Sequence, residues 1–506
     1  MNTLQHLVTA RTAKSPAKEA LVEGNEIYSY SMYNERINQG AHELIKRGIK
    51  KGDRVGILCQ TSIAYPVIIM SALKIGAIVV PISTGMTAYE LNSILKSGDL
   101  TAVLYHDDFA SILEEAKEGT NISQTIQVEK GAAFTKQFAD QPTEDPTLDY
   151  DVTPEDIAFM MFTSGTTGNA KGCMLAHGAI AGFLSTSLNE DVEIQEDMRY
   201  LVAHPFFHMS TISALVQCIS SGLTMVCTKE TDPAKIWEIV EHENIKVMLA
   251  LPPAFTYMME ELEKNPRDIS FKLGLSGGTK VPETLIEQFD AQGMTLAQGY
   301  GSTEAWIISV WHPDMGWKKI SSAGKPVQGV EVKVVDPETR EELPTGKIGE
   351  IMVRSPYIFK GYWKNEEATN NVLQDGWLAM GDAGRVDEDG FIYIEGRYKD
   401  VVVYGGDNIY PDQVEEVIRE FDDVLEVALI GLPDQFWGEV PAAFVVKKQG
   451  SSLTEQQIVE HCKQKLAAYK VPSVTFKEDL PKNSVGKIVK RTIKEEAIRE
   501  RDLAHA

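Results

Sequence analysis

Short apolar, β-branched runs alternate with helical patterns between about Val55 and Glu304. One helical pattern is especially clear, because Asp232 can cap its start, Pro233 suits its first turn, and apolar residues then recur at helical spacing. Such alternation predicts α/β layers built on a mostly parallel sheet. The predicted strands are Val55–Cys59, Ile78–Ile82, Ala102–Tyr105, Ile157–Phe162, Leu223–Cys227 and Val247–Leu251.

The most apolar stretch of the chain runs from Ala64 to Ile82. A membrane-spanning helix needs about 20 apolar residues in succession, whereas Lys74 and Gly76 interrupt this stretch. We therefore predict a buried helix, Tyr65–Leu73, that ends at Gly76 and is followed by a buried strand. No integral membrane segment is expected.

The pattern changes near residue 330, where three strand-like runs are joined by Asp-Pro, Pro-x-Gly and Asp-Gly turns. The runs are Val330–Val335, Gly349–Arg354 and Phe391–Ile394. They predict a small antiparallel β subdomain attached to the large α/β region.

The last roughly 110 residues have the size of a separate domain. Pro411–Phe421 is amphipathic, and Thr454 to Gln457 reads as a capping box that opens a second helix. Two strand-like runs, Glu426–Ile430 and Ala443–Val446, can complete an α+β core. We place the boundary near residue 396, which gives an N-terminal domain of residues 1–396 and a C-terminal domain of residues 397–506.

Composition and charge narrow the function classes. The 506 residues carry a formal net charge of −24, which disfavours nonspecific nucleic-acid binding because such binding needs a basic surface. The five cysteines are scattered, without a CxxC pair or metal-ligand spacing. They predict reduced, buried thiols and a cytoplasmic protein. The sequence leaves the oligomeric state open, with a homodimer as one alternative.

The strongest chemical motif follows the predicted strand Ile157–Phe162. Small residues let the backbone approach an anion, hydroxyl and amide groups donate to phosphate oxygens, and a lysine adds positive charge. The spacing is not that of a Walker A loop, because two residues separate the last glycine from that lysine. A flexible surface loop is the alternative. The motif consists of Thr163, Ser164, Gly165, Thr166, Thr167, Gly168, Asn169, Ala170, Lys171 and Gly172.

A second motif, Tyr300-Gly301-Ser302-Thr303-Glu304, offers an aromatic face for a base, hydroxyls for phosphate and a carboxylate for a hard cation. By itself it could equally be a turn at a strand end with a solvated glutamate. With the first motif present, we favour a nucleotide site.

These two motifs resemble those of the adenylate-forming superfamily, in its acyl-CoA synthetase branch, and further motifs follow in the family order along essentially the whole chain. The resemblance implies an AMP-forming acid–thiol ligase that uses ATP, Mg²⁺ and coenzyme A, with a small mobile C-terminal domain. One departure is Ala170, where the family usually has proline. We expect a softer loop that still binds.

The resemblance also implies residue roles in nucleotide binding. The aromatic ring of Tyr300 would stack on adenine, Thr303 would contact the α-phosphate, and Glu304 with Thr166 would hold Mg²⁺. Arg397 would contact the nucleotide. The other implied nucleotide contacts are Gly277, Gly278, Thr279, Gly299, Gly301, Ser302 and, for the ribose hydroxyls, Asp382.

In the C-terminal region the resemblance implies a hinge at Lys399 and a catalytic lysine at Lys487, which would offset negative charge on the α-phosphate. Tyr404, Gly405 and Gly406 would face coenzyme A, as paired glycines ahead of a helix allow close approach of a ligand. Each of these could instead be an ordinary surface or helix-entry residue.

The acid-binding segment of the family resembles His204–Ser210. In amino-acid-activating relatives an aspartate stands where this chain has His208, so an amino-acid substrate is disfavoured. The residues implied to line an apolar acyl pocket are Phe207, His208, Met209, Ala305 and Trp306; ordinary core packing is the alternative. Two other functions stay open: loading of a carrier-protein phosphopantetheine, and nucleotide binding without catalysis.

Overall fold

The computed structural model describes residues 3–163, 170–184, 194–405, 407–434, 436–483 and 486–505. The chain forms two compact units, the first made of Met1–Glu331 with Arg354–Leu378, and the second of Val332–Val353 with Ala379–Ala506. This partition reflects packing density, so the proposed functional boundary near residue 396 stays a prediction.

The first unit contains two sheets whose inner strands are parallel. Their strands are β1 Glu19–Glu23, β2 Glu26–Ser29, β3 Arg54–Leu58, β4 Ile78–Pro81, β5 Ala102–His106, β6 Gln124–Val128, β7 Ile157–Thr163, β8 Lys171–Ala176, β9 Arg199–Val202, β10 Thr224–Cys227, β11 Val247–Leu249, β12 Leu273–Gly277, β13 Thr295–Ser302, β14 Trp306–Trp311 and β15 Lys325–Pro326. Among the described residues, a nine-stranded sheet has the order β15-β14-β13-β12-β11-β9-β10-β1-β2, and a six-stranded sheet the order β6-β5-β3-β4-β7-β8.

Antiparallel pairs occur at the sheet edges, where β7 pairs with β8 and β13 with β14. Because the inner strands are parallel and helices alternate with them along the chain, the predicted α/β layering is confirmed. The helices of this unit are Leu7–Lys14, Tyr30–Lys46, Ala64–Lys74, Ala88–Ser97, Ala110–Ala116, Ala132–Lys136, His177–Phe183, Met209–Ser221, Pro233–His242, Pro252–Lys264, Glu283–Ala291 and Glu366–Val372.

Local signals set several helix ends as expected. The carboxylate of Asp232 accepts hydrogen bonds from the amides of Ala234 and Lys235, which would otherwise have no partner in the first turn. Gly76, with φ +70°, follows the buried helix Ala64–Lys74. Among the described residues, none of the helices combines the length and apolarity needed to cross a membrane.

A five-stranded sheet follows, with the order β16-β17-β19-β18 and β20 paired to β19. Its strands are β16 Glu331–Val335, β17 Gly349–Arg354, β18 Leu373–Gln374, β19 Trp377–Val386 and β20 Ile392–Arg397. The pairs β18–β19 and β19–β20 are antiparallel, in agreement with the predicted β subdomain.

The C-terminal sheet has the order β22-β21-β24-β23, with β25 beside β24. Its strands are β21 Val402–Tyr404, β22 Asp407–Ile409, β23 Val424–Asp434, β24 Gly438–Lys447 and β25 Ser473–Phe476; its helices are Pro411–Arg419, Glu455–Lys465 and Lys490–His505. The predicted capping box is present, since Thr454 and Gln457 exchange side-chain to backbone hydrogen bonds. All five cysteines are buried free thiols, as predicted.

Candidate active site

The glycine-rich motif joins two antiparallel strands. Thr163 ends β7 and lies directly opposite Lys171, the first residue of β8. Residues 164–169, and with them the predicted contacts of Ser164, Gly165, Thr166, Thr167 and Gly168, lie outside the described residues. The chain therefore leaves the six-stranded sheet after Thr163 and returns to it at Lys171.

The second motif spans the end of β13 and the turn that leads into β14. A Cβ atom on Gly301 would lie 1.9 Å from the carbonyl oxygen of Trp306, so only glycine fits there. The amide of Ala305 donates to the hydroxyl of Ser302, and the thiol of Cys173 in β8 approaches the carbonyl of Thr303 at 3.6 Å. The turn therefore presents Thr303 and Glu304 beside the strand that starts with Lys171.

Glu304 and Lys171 both contact the side chain of Tyr362. The hydroxyl of Tyr362 donates to Oε1 of Glu304 at 2.9 Å. The ammonium group of Lys171 lies 5.1 Å from the centroid of the same ring, within the range of a cation–π interaction. Lys171 of the first motif and Glu304 of the second are thus brought close together.

The segment Ser276–Thr279 lies beside the second motif. A Cβ atom on Gly277 would lie 2.4 Å from the carbonyl oxygen of Gly299 on the neighbouring strand. Gly278 has φ +79°, a conformation that glycine adopts without strain. Gly277 is thus required by the close approach of β12 to β13, and Gly278 by its left-handed backbone conformation. Thr279 follows this turn.

In the second unit, Asp382 of β19 and Arg397 of β20 are direct partners across the antiparallel pair. Nε of Arg397 lies 2.9 Å from Oδ1 of Asp382, and the guanidinium also donates to the carbonyl of Met380. Asp382 is buried, whereas about half of the Arg397 side chain is exposed. The structure thus places a carboxylate and a guanidinium side by side, and their contacts with ribose and nucleotide stay predictions.

Lys487 stands at the end of a short turn. Its amide donates to the side-chain oxygen of Asn483, its carbonyl accepts from the Asn483 amide, and Gly486 has φ +77°. The residue keeps an exposed surface, yet the ammonium group is desolvated enough to lower its pKa. The positive charge of Arg397 lowers that pKa further, and the carboxylate of Asp382 opposes the decrease.

If Lys487 is the catalytic lysine that the resemblance implies, its lowered pKa predicts the pH dependence of adenylation. Only the ammonium form can stabilise negative charge, so activity should fall at a lower pH than an ordinary lysine would allow. Replacing Arg397 with glutamine removes a repelling charge, and should move the alkaline limb of kcat at saturating ATP to higher pH. Arg385→Gln, in the same sheet, is the control and should leave that limb in place. A limb that stays fixed in Arg397→Gln would contradict the assignment.

The predicted coenzyme A segment precedes a helix that has Pro411 in its first turn, as expected. Gly405 lies in a hairpin turn between β21 and β22, so a short strand separates it from the helix at Pro411. The ring of Tyr404 stacks on Trp437, with centroids 4.7 Å apart. A Cβ atom on Gly405 would lie 2.9 Å from the Trp437 ring, which explains the glycine. Gly406 lies outside the described residues, and Lys399 lies in the turn Tyr398–Asp400.

The predicted acyl-pocket residues fall into two groups. The ring of His208 stacks on His204, with centroids 4.2 Å apart, and packs against Phe207 at 4.6 Å. His208 immediately precedes the helix that begins at Met209. Burial lowers the pKa of His204 to about 4, so this imidazole is neutral at physiological pH.

Trp306, the other predicted pocket residue with a large ring, is 3% exposed and has φ +61°. That backbone conformation is uncommon for a bulky residue and marks local strain. Its ring packs against Phe183, and its indole N–H has no acceptor among the described residues. Ala305 beside it is fully buried.

Two residues that contact predicted site residues were missed in the sequence analysis, Tyr362 and Trp437, and His204 was named only as the start of the acid-binding segment and not as a pocket residue. A histidine pair four positions apart was visible in the sequence. Tyr362 and Trp437 give no comparable signal, because their roles depend on partners that are distant in the chain.

The fold and the paired motifs define an adenylate-forming enzyme of the α/β class with a smaller C-terminal domain. The AMP-binding enzyme family matches residues 8–363, and the AMP-binding enzyme C-terminal domain matches residues 413–487. The chain therefore belongs to the AMP-binding enzyme family, in its acyl-CoA synthetase branch.

Relatives and solved structures are similar over nearly their full length. YdaB of Bacillus subtilis (strain 168), a protein assigned as an acyl–CoA ligase, is 46% identical over 98% of this chain and 100% of its own. The long-chain-fatty-acid–CoA ligase FadD13 of Mycobacterium tuberculosis is 32% identical over 98% of this chain and 99% of its own. The anthranilate CoA ligase AuaEII, solved with anthranoyl-AMP, has a TM-score of 0.90 and 26% identity over 98% of this chain and 97% of its own.

These comparisons establish the activity class. The chain is an acid–thiol ligase that uses ATP to activate a carboxylic acid and transfers the acyl group to coenzyme A. They favour this activity over carrier-protein loading and over nucleotide binding without catalysis.

Proposed function

We propose that this ligase activates an apolar carboxylic acid and that Lys171, Thr303, Glu304 and Lys487 are the residues that act on ATP. In the first half-reaction, the substrate carboxylate attacks the α-phosphorus of ATP and pyrophosphate leaves. Lys487, Thr303 and the glycine-rich segment offset the negative charge that gathers on the transferred phosphate. In the second, the thiol of coenzyme A attacks the acyl-adenylate and releases AMP.

One observation supports this proposal most directly: Lys171 and Glu304, from motifs distant in the chain, contact the same side chain, Tyr362. A lysine and a carboxylate placed this way suit a triphosphate and its cation. ATP–pyrophosphate exchange across acids of two to sixteen carbons tests the proposal. Exchange with none of these acids would overturn it.

Mg²⁺ fits the chemistry of this site. Mg²⁺ is commonly held by one or two carboxylates together with substrate phosphates and water. One oxygen of Glu304 accepts from Tyr362, so the carboxylate is oriented and its other oxygen can serve a cation; Thr166 is the second proposed ligand. When bound, the cation would neutralise part of the charge on the triphosphate.

For the second half-reaction, we propose that Lys399 is the hinge of the C-terminal domain and that Tyr404, Gly405 and Gly406 contact coenzyme A. The stack of Tyr404 on Trp437 supports this assignment, because it forms a flat aromatic surface beside a left-handed glycine. Comparing free coenzyme A with phosphopantetheinyl carrier proteins as acceptors tests the assignment of coenzyme A to this surface. Faster transfer to a carrier protein would contradict the proposal.

The identity of the acid is proposed from the side chains alone. Phe207, Ala305 and Trp306 are apolar, and His204 is held neutral, so the chemistry favours an apolar acyl chain over a charged one. The buried, free cysteines support a cytoplasmic location. A homodimer stays a prediction, to be measured by light scattering.

Trp306 is expected to limit acyl chain length. Replacing it with alanine would remove a large buried ring and open space beside Phe183, so the preferred acid should become longer by several carbons. Pyrophosphate exchange across the acid series measures this change, and Trp317→Ala, at an exposed tryptophan, is the control. An unchanged chain preference in Trp306→Ala would remove Trp306 from the pocket.

A further inference from the structure

Tyr362 contacts two charged residues of the candidate nucleotide site, Lys171 and Glu304, although the sequence motifs do not include it. The side chain is 8% exposed. Its hydroxyl donates to Glu304, and the ammonium group of Lys171 lies over one face of its ring. One phenol side chain therefore contacts a lysine and a glutamate that come from distant parts of the chain.

The backbone around Tyr362 is fixed on both sides. The Tyr362 amide donates to the hydroxyl of Thr369, and the next amide, that of Trp363, donates to the carbonyl of Gly172 in β8. Upstream, the amide of Phe359 donates to the carbonyl of Glu304 at 2.7 Å. The segment is thus bonded to the ends of both predicted motifs, so the ring position is set by main-chain contacts.

The ring itself is also held. Phe359 packs edge-on against Tyr362, with centroids 4.9 Å apart. A side chain that is buried and packed in this way loses little further freedom when its hydroxyl forms a hydrogen bond. The bond to Glu304 therefore fixes the carboxylate more effectively than a solvent-exposed donor would.

The charges explain why a phenol is suited to this position. A hydrogen bond to a carboxylate is charge-assisted and directional, so it orients Glu304. A cation on the ring face is attracted by the ring quadrupole without losing its charge to a counter-ion. Lys171 and Glu304 are thereby held on different parts of one neutral side chain, which disfavours a direct ion pair between them.

We propose that Tyr362 is a positioning residue for adenylation. It orients Glu304 toward the metal–nucleotide complex and keeps Lys171 available for the triphosphate. This inference rests on the proposed function, since it takes Glu304 as a ligand of the ATP-bound cation.

The test separates metal-dependent from metal-independent nucleotide binding. Tyr362→Phe removes the hydroxyl and keeps the ring for Lys171 and Phe359. By calorimetry, affinity for Mg-ATP should fall about tenfold, the effect expected for one hydrogen bond to a charged group. Affinity for ATP in EDTA should not change. Raising the Mg²⁺ concentration should restore much of the pyrophosphate exchange rate.

Tyr357→Phe is the matched control. Its hydroxyl is buried in the same segment and donates to the carbonyl of Gln328, so the same atom is removed without touching either motif. This variant should bind Mg-ATP and metal-free ATP as the unmodified chain does. Thermal unfolding of both variants shows whether the fold is kept.

The outcomes are distinct. Equal weakening of Mg-ATP and metal-free ATP in Tyr362→Phe would indicate a structural role and overturn the proposal, as would unchanged binding of both. Glu304→Gln tests the underlying function separately. Normal Mg-ATP affinity in Glu304→Gln would remove the cation role and the Tyr362 proposal with it, whereas a loss confined to Glu304→Gln would overturn only the role of Tyr362.

Discussion

Replacing Lys487 with alanine should slow acyl-adenylate formation about a thousandfold, the upper range for losing one preorganised charge-stabilising group. The ammonium group is expected to act only where negative charge develops on the α-phosphate. Thioester formation from supplied acyl-adenylate should therefore proceed at the normal rate. Single-turnover measurement of each half-reaction separates the two effects.

Lys482→Ala is the control for this experiment. Lys482 lies in the same basic segment but pairs with Asp479 and Glu426. We expect a small effect, because exposed ion pairs contribute little. A similar loss in both lysine variants, or equal loss of both half-reactions in Lys487→Ala, would show that Lys487 is not specific to adenylation.

The second large effect is expected from Gly301→Ala. The added methyl group would overlap the carbonyl oxygen of Trp306, and the neighbouring backbone has to move to make room for it. Unfolding free energy should fall by about 3 kcal/mol, as for other overpacked sites. Displacement of Thr303 and Glu304 should reduce pyrophosphate exchange by about a hundredfold.

Gly299→Ala, two residues earlier on the same strand, isolates the steric cause. A Cβ atom there would have its nearest neighbour, the carbonyl oxygen of Ser276, at 3.9 Å. Its melting temperature should stay close to that of the unmodified chain. If Gly301→Ala is equally stable, the contact with Trp306 does not constrain the turn.

Local interactions explain which elements could be predicted. Asp232 and the pair Thr454–Gln457 act within one helical turn, so their capping roles are visible in a few consecutive residues. In the first unit, the ends of the predicted strands lie within about two residues of the observed ends, because apolar runs indicate buried strands. In the C-terminal sheet, β23 and β24 extend well beyond the predicted runs Glu426–Ile430 and Ala443–Val446, because their ends are set by pairing with each other. The coenzyme A segment shows the limit: the hairpin at Gly405 depends on pairing between β21 and β22, and the sequence analysis did not predict this pairing.

The α/β class, the order of the motifs and the residue types needed for nucleotide chemistry could be predicted from the amino-acid sequence, because they follow from periodicity and from side-chain groups. Which of these groups lie in contact is known from the three-dimensional fold. Tyr362 joins Lys171 to Glu304, and Trp437 covers Tyr404, through contacts between residues far apart in the chain. Such contacts arise from sheet order and packing, which local patterns do not encode.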